Sequence, residues 1–258
     1  MKLLISSYTF EPFPLEEVFL FAHNVKADGI ELVITPQVCK IGFEAIKNLS
    51  QKYQVPVVNI HQPPWYVLFT GKKQMDKMIA IAKDLGAENL VVHLATVRRN
   101  FNSKFFDWIK QREVESKINI AFENAAPRGL EAWPNYCGHP EKLESFVKSR
   151  HINLTLDVAK AFLKGFDSYQ FFQRNHSNIK VIHVHGFDRK GHFHKGLLED
   201  TFDWAGFASF VKKFNYTGAM TMEIFPLMKL FYFKLPPKEA LDRAKDTIEE
   251  NFRMLRRV

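Results

Sequence analysis

Cysteine is scarce in this chain of 258 residues, which contains Cys39 and Cys137 and no others. One optional bridge cannot staple a domain of this size, so we expect a protein of a reducing compartment, the cytoplasm. No apolar run approaches the roughly 18 residues of a membrane span. The first ten residues also lack the long apolar stretch and cleavage site of a signal peptide. We therefore expect neither membrane insertion nor secretion.

Linkers and low-complexity segments are also lacking, so we expect one domain over residues 1–258. The chain is 46% hydrophobic and 14% aromatic, which is enough for one sizeable core and excludes a disordered protein. Lys and Arg total 36 and Asp and Glu total 28, a formal net charge of +8. This excess suits anionic partners, either phosphorylated metabolites or nucleic acid, and does not choose between them.

Short apolar runs alternate with longer helical patterns along the whole chain. The runs predict eight strands, at residues 2–6, 29–34, 55–61, 90–94, 119–124, 153–158, 180–186 and 219–224. Helical patterns include residues 72–85, 105–116, 141–149 and 237–257. Ionisable residues near the strand ends recur every 28 to 38 residues: Glu31, His61, His93, Glu123, Asp157, His185 and Glu223. One strand and one crossover helix fit this spacing.

Eight such repeats predict an α/β fold, a (β/α)8 TIM barrel in a single domain. An open, doubly wound sheet is the alternative. The Gly-rich phosphate fingerprint typical of many such sheets is missing after the first run, where the chain reads SSYTFEPF.

Within the predicted strands, small and polar residues alternate with large apolar ones, so each strand has a face toward the barrel axis. Glu123, Asp157, His185 and Glu223 would then converge at the carboxyl end of the barrel, where active sites of this fold lie. Carboxylates this close repel one another unless a cation or protons lie between them. A divalent metal is the simplest solution, and this donor set suits Mn²⁺, Co²⁺, Mg²⁺, Fe²⁺ or Zn²⁺.

Histidines are concentrated at the same predicted end of the barrel. His61, His93, His192 and His194 are candidates for a second metal or for substrate binding. His183 would face inward one layer below His185, where it could orient a ligand.

Eight motifs follow one another along nearly the whole chain: GIEL, NIHQP, VVHLA, FEN, LTLDVAKA, HVHGFD, HKGLLEDTFDW and MTMEIF. As an ordered set they resemble the xylose-isomerase-like TIM-barrel superfamily, which includes ketose 3-epimerases, hydroxypyruvate isomerases, inosose dehydratases and endonuclease IV.

The resemblance to the epimerase branch implies that Glu123, Asp157, His185 and Glu223 hold one divalent metal. It also implies that Glu123 and Glu223 stand on opposite faces of a bound ketose, one removing a proton beside the carbonyl and the other returning one. The protein is then expected to be a sugar or sugar-phosphate isomerase or epimerase that works through an enediolate.

The resemblance to endonuclease IV supports a different function. That branch completes a multi-zinc cluster with histidines matching His61, His93 and His194, and His192 stands where it has an Asp ligand. Abasic-site endonuclease activity on DNA is therefore the alternative, and a non-catalytic barrel that binds a metal or metabolite is a third possibility.

Two positions depart from the superfamily pattern. Lys160 follows Asp157 by three residues, where both branches usually have His; it is a candidate catalytic residue that holds a substrate oxygen or stabilises an enolate, or it forms a salt bridge. The sequence LLED at residues 197–200 replaces a Gly-Glu-Gly turn. The apolar run FPLMKLFYF at residues 225–233 suggests a lid or a contact in a homo-oligomer.

Overall fold

A computed structural model describes residues 1–11, 13–63, 71–94, 103–124, 139–188, 194–225 and 237–258, without the side chains of residues 199 and 237. The strands are β1 (Lys2–Ser6), β2 (Gly29–Val33), β3 (Val57–His61), β4 (Asn89–His93), β5 (Asn119–Glu123), β6 (Asn153–Asp157), β7 (Ile179–Val184) and β8 (Ala219–Met222). All neighbouring strands are parallel, and they form a closed barrel in the order β1 to β8. The register Leu4↔Thr221 between β1 and β8 closes the ring. The predicted TIM barrel is confirmed, and the open sheet is wrong.

The helices are α1 (Leu15–Asn24), α2 (Pro36–Ile41), α3 (Phe43–Tyr53), α4 (Lys72–Asp84), α5 (Ser103–Ser116), α6 (Pro140–Arg150), α7 (Val158–Leu163), α8 (Ser168–Asn175), α9 (Trp204–Lys213) and α10 (Pro237–Arg257). Short 3₁₀ helices lie at Ser7–Phe10 and Leu197–Glu199. The four predicted helices are present, and their bounds match within two residues. Of the helices that the structure describes, none combines the length and apolarity needed to cross a bilayer.

Several strands end earlier than predicted. β7 ends at Val184 and β8 at Met222, so His185 and Glu223 follow the strands instead of lying on them. The reason is that the chain beyond β7 turns to pair with its own loop, in an antiparallel bridge between Gly186 and Lys195. β6 likewise ends at Asp157, because the Asp157 side chain accepts a hydrogen bond from the amide of Lys160 and begins α7.

The apolar core lies between the barrel and its surrounding helices. Phe122 on β5, for example, packs edge-on against Phe106 of α5, with ring centroids 5.8 Å apart. The barrel interior is more polar. Glu31 on β2 contacts His183 on β7, and since these strands are not neighbours, the contact crosses the inside of the barrel. The fold therefore places large residues outward and ionisable residues around the axis.

Candidate active site

Three carboxylates lie buried at the carboxyl end of the barrel. Glu123 ends β5, Asp157 ends β6 and Glu223 follows β8. Lys160, in the first turn of α7, places its Nζ 2.5 Å from Glu123 Oε1 and 3.1 Å from Asp157 Oδ2. The salt bridge considered from the sequence is thus present, and the ammonium joins two carboxylates proposed as metal ligands.

Burial and the neighbouring charges set the pKa values of these groups. Burial by itself would raise the pKa of Glu123, but the Lys160 ammonium and the imidazoles of His93 and His183 hold it well below its usual range. Burial also opposes ionisation of Asp157, but Lys160 and His185 together outweigh it, so the pKa of Asp157 is lowered. The pKa of Glu223 is instead raised, by burial and by the negative charges of Glu123 and Glu31, which together outweigh the opposing effect of His183.

His61 and His93 face the other oxygen of Glu123. Glu123 Oε2 lies 3.4 Å from His61 Nε2 and 3.2 Å from His93 Nε2, yet this buried oxygen has no hydrogen-bond partner among the described residues. His61 Nδ1 lies 2.8 Å from the carbonyl oxygen of Gln62 and must donate to it, since a carbonyl only accepts. In neutral His61, the lone pair of Nε2 therefore faces a carboxylate oxygen. A cation between such acceptors satisfies both, so these residues fit a divalent metal.

His185 lies beside Asp157, and His194 lies beside His185. His185 Nε2 is 3.2 Å from Asp157 Oδ2, and the amide of His194 donates to His185 Nδ1 over 3.2 Å. His194 adopts φ = 62°, stacks on Phe225 at 4.1 Å, and lies with Nδ1 2.9 Å from the carbonyl oxygen of Glu223. Burial, with His185 and Lys160, holds the pKa of His194 well below its usual value. These contacts place His194 beside the carboxylates as a neutral imidazole.

A second layer of polar residues lies beneath the carboxylates. His183 Nε2 is hydrogen-bonded to Glu31 Oε2 over 3.2 Å, and the same oxygen accepts from Asn59 Nδ2 at 3.0 Å and Thr221 Oγ1 at 3.1 Å. His183 Nδ1 lies 3.3 Å from Glu223 Oε2. Burial would lower the pKa of His183, but Glu223, Glu31 and Glu123 together raise it well above its usual value.

Candidate ligand atoms gather into overlapping groups, each with its atoms within 4.8 Å of one another. Within the described ranges these groups are His61, His93 and Glu123; His185, His194 and Glu223; Glu123, Asp157, His183 and Glu223; and Glu31, His61 and Glu223. Of the four ligands predicted from the sequence, Glu123, Asp157 and Glu223 come together with His183. His185 shares a group with Glu223 and His194. The predicted residues surround one space, and His183 belongs to it as well.

At residues 197–200, where the sequence departs from the superfamily pattern, the Asp200 side chain holds the loop by hydrogen bonds. Asp200 accepts hydrogen bonds from the amides of Phe187 at 3.1 Å and Phe202 at 2.9 Å, and from Trp204 Nε1. A carboxylate therefore holds the loop where the superfamily has glycines. Partial burial raises the pKa of this carboxyl.

Some sequence-predicted features lie outside the described residues. They include His192, Cys137 and residues 226–233 of the apolar run. Cys39 is exposed with a free thiol.

Sequence reasoning missed an amide ladder across the barrel interior. Asn119 Nδ2 donates to Asn89 Oδ1 at 2.9 Å, and Asn89 Nδ2 donates to Asn59 Oδ1 at 2.8 Å. Asn59 then donates to Glu31. The signal in the sequence was the position of each Asn, two or four residues before an ionisable residue on the same strand face.

Comparisons with known proteins agree with this architecture. The family model of the xylose isomerase-like TIM barrel matches residues 19–258. Protein ML2432 of Mycobacterium leprae is 26% identical over 217 residues, which cover 74% of this chain and 76% of that protein. Solved structures that share the fold include two that differ in their named activity. The 3-keto-D-glucoside 4-epimerase YcjR from E. coli has a TM-score of 0.74 at 14% identity, with 97% and 98% of the two chains covered.

The second is an AP endonuclease, family 2, from Brucella melitensis, with a TM-score of 0.69 at 15% identity and 93% and 97% coverage. At these identities the superpositions show the fold alone. The family match, in contrast, spans most of the sequence. The chain therefore belongs to the xylose isomerase-like TIM-barrel family.

Proposed function

We propose that the protein is a divalent-metal-dependent sugar or sugar-phosphate isomerase or epimerase. Glu123, Asp157, His185 and Glu223 would hold the metal, and Glu123 and Glu223 would act as acid and base through an enediolate. The observation that carries the proposal is the buried set of three carboxylates, two of which share the ammonium of Lys160. Several proteins of the same fold are named as sugar epimerases, among them a D-allulose 3-epimerase, which supports this substrate class.

The charge balance favours one metal ion. Glu123, Asp157 and Glu223 carry three formal negative charges, and Lys160 neutralises one of them at close range. The two remaining charges equal the charge of a single divalent cation. Because uncompensated buried charge is strongly unfavourable, a cluster of several divalent ions fits this site less well than one ion does.

The two glutamates approach the site from different sides, because β6 and β7 lie between β5 and β8. Glu123 Oε1 is held by Lys160, and Glu123 would take a proton from the substrate carbon. Glu223 then supplies a proton to the other face of the enediolate. Lys160 Nζ adds a fixed positive charge beside the oxygen on which negative charge develops. The bound metal would supply Lewis-acid polarisation of the substrate carbonyl.

The test is a panel of ketoses and ketose phosphates incubated in D₂O with metal-loaded protein. We expect solvent deuterium on the carbon beside the carbonyl of at least one substrate, detected by NMR. Glu123→Gln and Glu223→Gln should each lower the exchange rate by roughly 10²- to 10⁴-fold, the usual contribution of a general acid or base. Glu250→Gln, on the exposed surface of α10, is the matched control and should keep full activity. Full turnover in either active-site variant, or no exchange across the panel, would refute the proposal.

Abasic-site endonuclease activity remains the second candidate, favoured by the grouping of His61 and His93 around Glu123. DNA would then be the partner, and two metals could clamp an attacking hydroxide and a phosphodiester. Incision of an abasic oligonucleotide that is lost in His93→Ala would support this function. Absence of salt-sensitive DNA binding would eliminate it, because phosphate contacts make such binding depend on salt.

A further inference from the structure

We propose that His183 binds the divalent metal directly, through Nδ1, and that Glu31 and Asn59 hold its ring in the orientation that this requires. The inference rests on the metal site of the proposed function and adds a ligand to it. It also names two residues, Glu31 and Asn59, as positioning residues that do not touch the metal.

The first observation is a buried nitrogen without a hydrogen-bond partner. The His183 side chain is fully buried, and Nδ1 makes no hydrogen bond within the part of the chain that the structure describes. The nearest polar atoms are carboxylate oxygens, Glu223 Oε2 at 3.3 Å and Glu123 Oε1 at 3.6 Å. Buried polar atoms are nearly always satisfied, so this nitrogen requires an explanation. It points at two side chains that the proposed function assigns to the metal.

The second observation concerns the other ring nitrogen. His183 Nε2 lies 3.1 Å from Glu31 Oε1 and 3.2 Å from Glu31 Oε2. Glu31 Oε2 also accepts hydrogen bonds from Asn59 Nδ2 and Thr221 Oγ1. Donors converge on Glu31, which marks it as an acceptor, so Nε2 carries the ring hydrogen. A metal ion that displaces the proton of Nδ1 would then bind the lone pair of that nitrogen. A carboxylate behind a histidine is the usual way in which a metal-bound imidazole is oriented.

The third observation is the grouping of the ligand atoms. His183 lies with Glu123, Asp157 and Glu223 inside 4.8 Å, whereas His185 is not in that group. His185 Nε2 instead contacts Asp157 Oδ2 at 3.2 Å. An ion among the three carboxylates would therefore lie close to His183 Nδ1. His185 would approach the same ion beside Asp157. Mn²⁺, Co²⁺ and Fe²⁺ can bind both histidines together with the carboxylates, because these ions take up to six ligands.

Hydrogen bonds that begin at the amino end of the barrel also fix the orientation of His183. Asn59 cannot rotate freely, because its Oδ1 accepts from Asn89, whose own Oδ1 accepts from Asn119. This ladder crosses β3, β4 and β5. It holds Asn59 toward Glu31, and Glu31 toward His183.

The direct test uses the unaltered protein, so it does not depend on a variant that folds. Protein with ¹⁵N-labelled histidine is purified without metal, titrated with Zn²⁺, and followed by ¹⁵N NMR of the ring nitrogens. We expect His183 in the loaded protein to show a protonated Nε2 and a metal-bound Nδ1. A protonated Nδ1 in the zinc-loaded protein would overturn the proposal, since His183 would then be an imidazolium paired with carboxylates.

Co²⁺ binding by variants gives a second readout, measured from the visible absorption spectrum and by calorimetry. His183→Phe should lower Co²⁺ affinity at least 100-fold and alter the absorption bands, because the coordination changes. Glu31→Gln should lower affinity by about 10- to 100-fold at unchanged stoichiometry, as loss of a residue behind a ligand does. His176→Gln, a histidine on the exposed surface, is the matched control and should bind normally. Unchanged affinity and bands in folded His183→Phe would refute direct ligation.

These readouts separate this inference from the proposed function. Metal-bound Nδ1 without deuterium exchange on any ketose would refute the isomerase and leave the ligand assignment intact. Deuterium exchange on a ketose together with a protonated Nδ1 would support the isomerase and refute the assignment of His183 as a ligand. No binding of Zn²⁺ or Co²⁺ would refute both.

Discussion

Lys160 is the residue on which the charge balance of the site depends. Its ammonium is buried between Glu123 and Asp157, so Lys160→Met removes the positive charge that these two carboxylates share. Removing one partner of a buried ion pair costs about 3–5 kcal/mol. We expect metal-free Lys160→Met to lose that much unfolding free energy in urea denaturation.

The matched control for this change is Lys148→Met. Lys148 forms an ion pair of similar length with Glu144, 2.6 Å, but on the exposed face of α6. Exposed pairs contribute about 0.2–1 kcal/mol, so we expect little loss of stability. Equal losses in the two variants would contradict the role given to Lys160.

Asp157 predicts how the metal-free protein responds to acid. The folded-state pKa of Asp157 is lowered, mainly by Lys160 acting against burial, whereas in the unfolded chain it is about 3.9. An acid with a depressed pKa stabilises the fold above its unfolded pKa and loses this contribution as the pH falls toward the folded value. We expect the unfolding free energy of the wild type to fall more steeply below about pH 4 than that of Asp157→Asn.

Asparagine keeps the helix-capping oxygen of Asp157, so the comparison isolates the charge. Asp242→Asn, on the exposed surface of α10, is the control and should follow the wild-type pH profile. Parallel profiles for the wild type and Asp157→Asn would show that Asp157 does not contribute to acid sensitivity.

At the residue scale, the sequence predicted the side chains that the strands deliver to the mouth. Glu123 and Asp157 could be placed because alternation along a strand identifies the face and the spacing identifies the strand end. The pairing of Glu31 with His183 could not be predicted, because it joins strands on different sides of the barrel. Alternation puts both residues inside and says nothing of which polar groups meet there.

At the scale of elements, the loop after β7 is held by a close backbone approach. A Cβ at Gly186 would lie 2.1 Å from the carbonyl oxygen of Gly196, which is backbone and cannot move aside as a side chain can. Gly186→Ala should therefore displace the bridge to Lys195 and, with it, His194. We expect reduced metal affinity and turnover, with the far-ultraviolet circular dichroism spectrum preserved.

Gly42→Ala is a useful comparison, since no atom of the described residues lies within 4 Å of its added Cβ. Its φ of 84° makes the substitution strained, so it should lower stability without lowering metal affinity. Normal metal affinity in Gly186→Ala would show that the bridge does not position the site.

The ends of strands differed from prediction mostly where a specific hydrogen bond ends the strand before its apolar pattern ends. The apolar pattern of β6 continues through Val158, but the capping hydrogen bond of Asp157 begins a helix there. The pattern of β8 continues to Ile224, but the amide of Phe225 pairs with the His194 carbonyl in a loop. The first contact is local but belongs to helix capping and not to apolar periodicity, whereas the second joins residues distant in sequence.

At the scale of the whole molecule, metal binding should stabilise the fold. A ligand present at 100 times its Kd adds about 2.7 kcal/mol, and for a chain of this length each kcal/mol shifts Tm by about 2–4 °C. We expect Mn²⁺ or Co²⁺ to raise the Tm of metal-free protein by roughly 5–10 °C, and a chelator to reverse the shift. The Tm shift should be smaller in Glu223→Gln, and in Glu250→Gln it should equal that of the wild type. An unchanged Tm at saturating metal would argue against a metal site formed on folding.

The barrel itself was predictable because it repeats. Each strand and crossover helix occupies a similar length of chain, and eight such units close a ring. The polar interior was not predictable in the same way, since the ladder of Asn59, Asn89 and Asn119 depends on how the strands are staggered against one another.

The pairing of β1 with β8 joins the two strands that are farthest apart in the chain. Because synthesis runs from β1 toward β8, the edge of β1 stays open until β8 has left the ribosome. Glu223 immediately follows β8. The strand that seals the ring therefore also delivers the last carboxylate, and a nascent chain gains a closed sheet and a complete site in the same step.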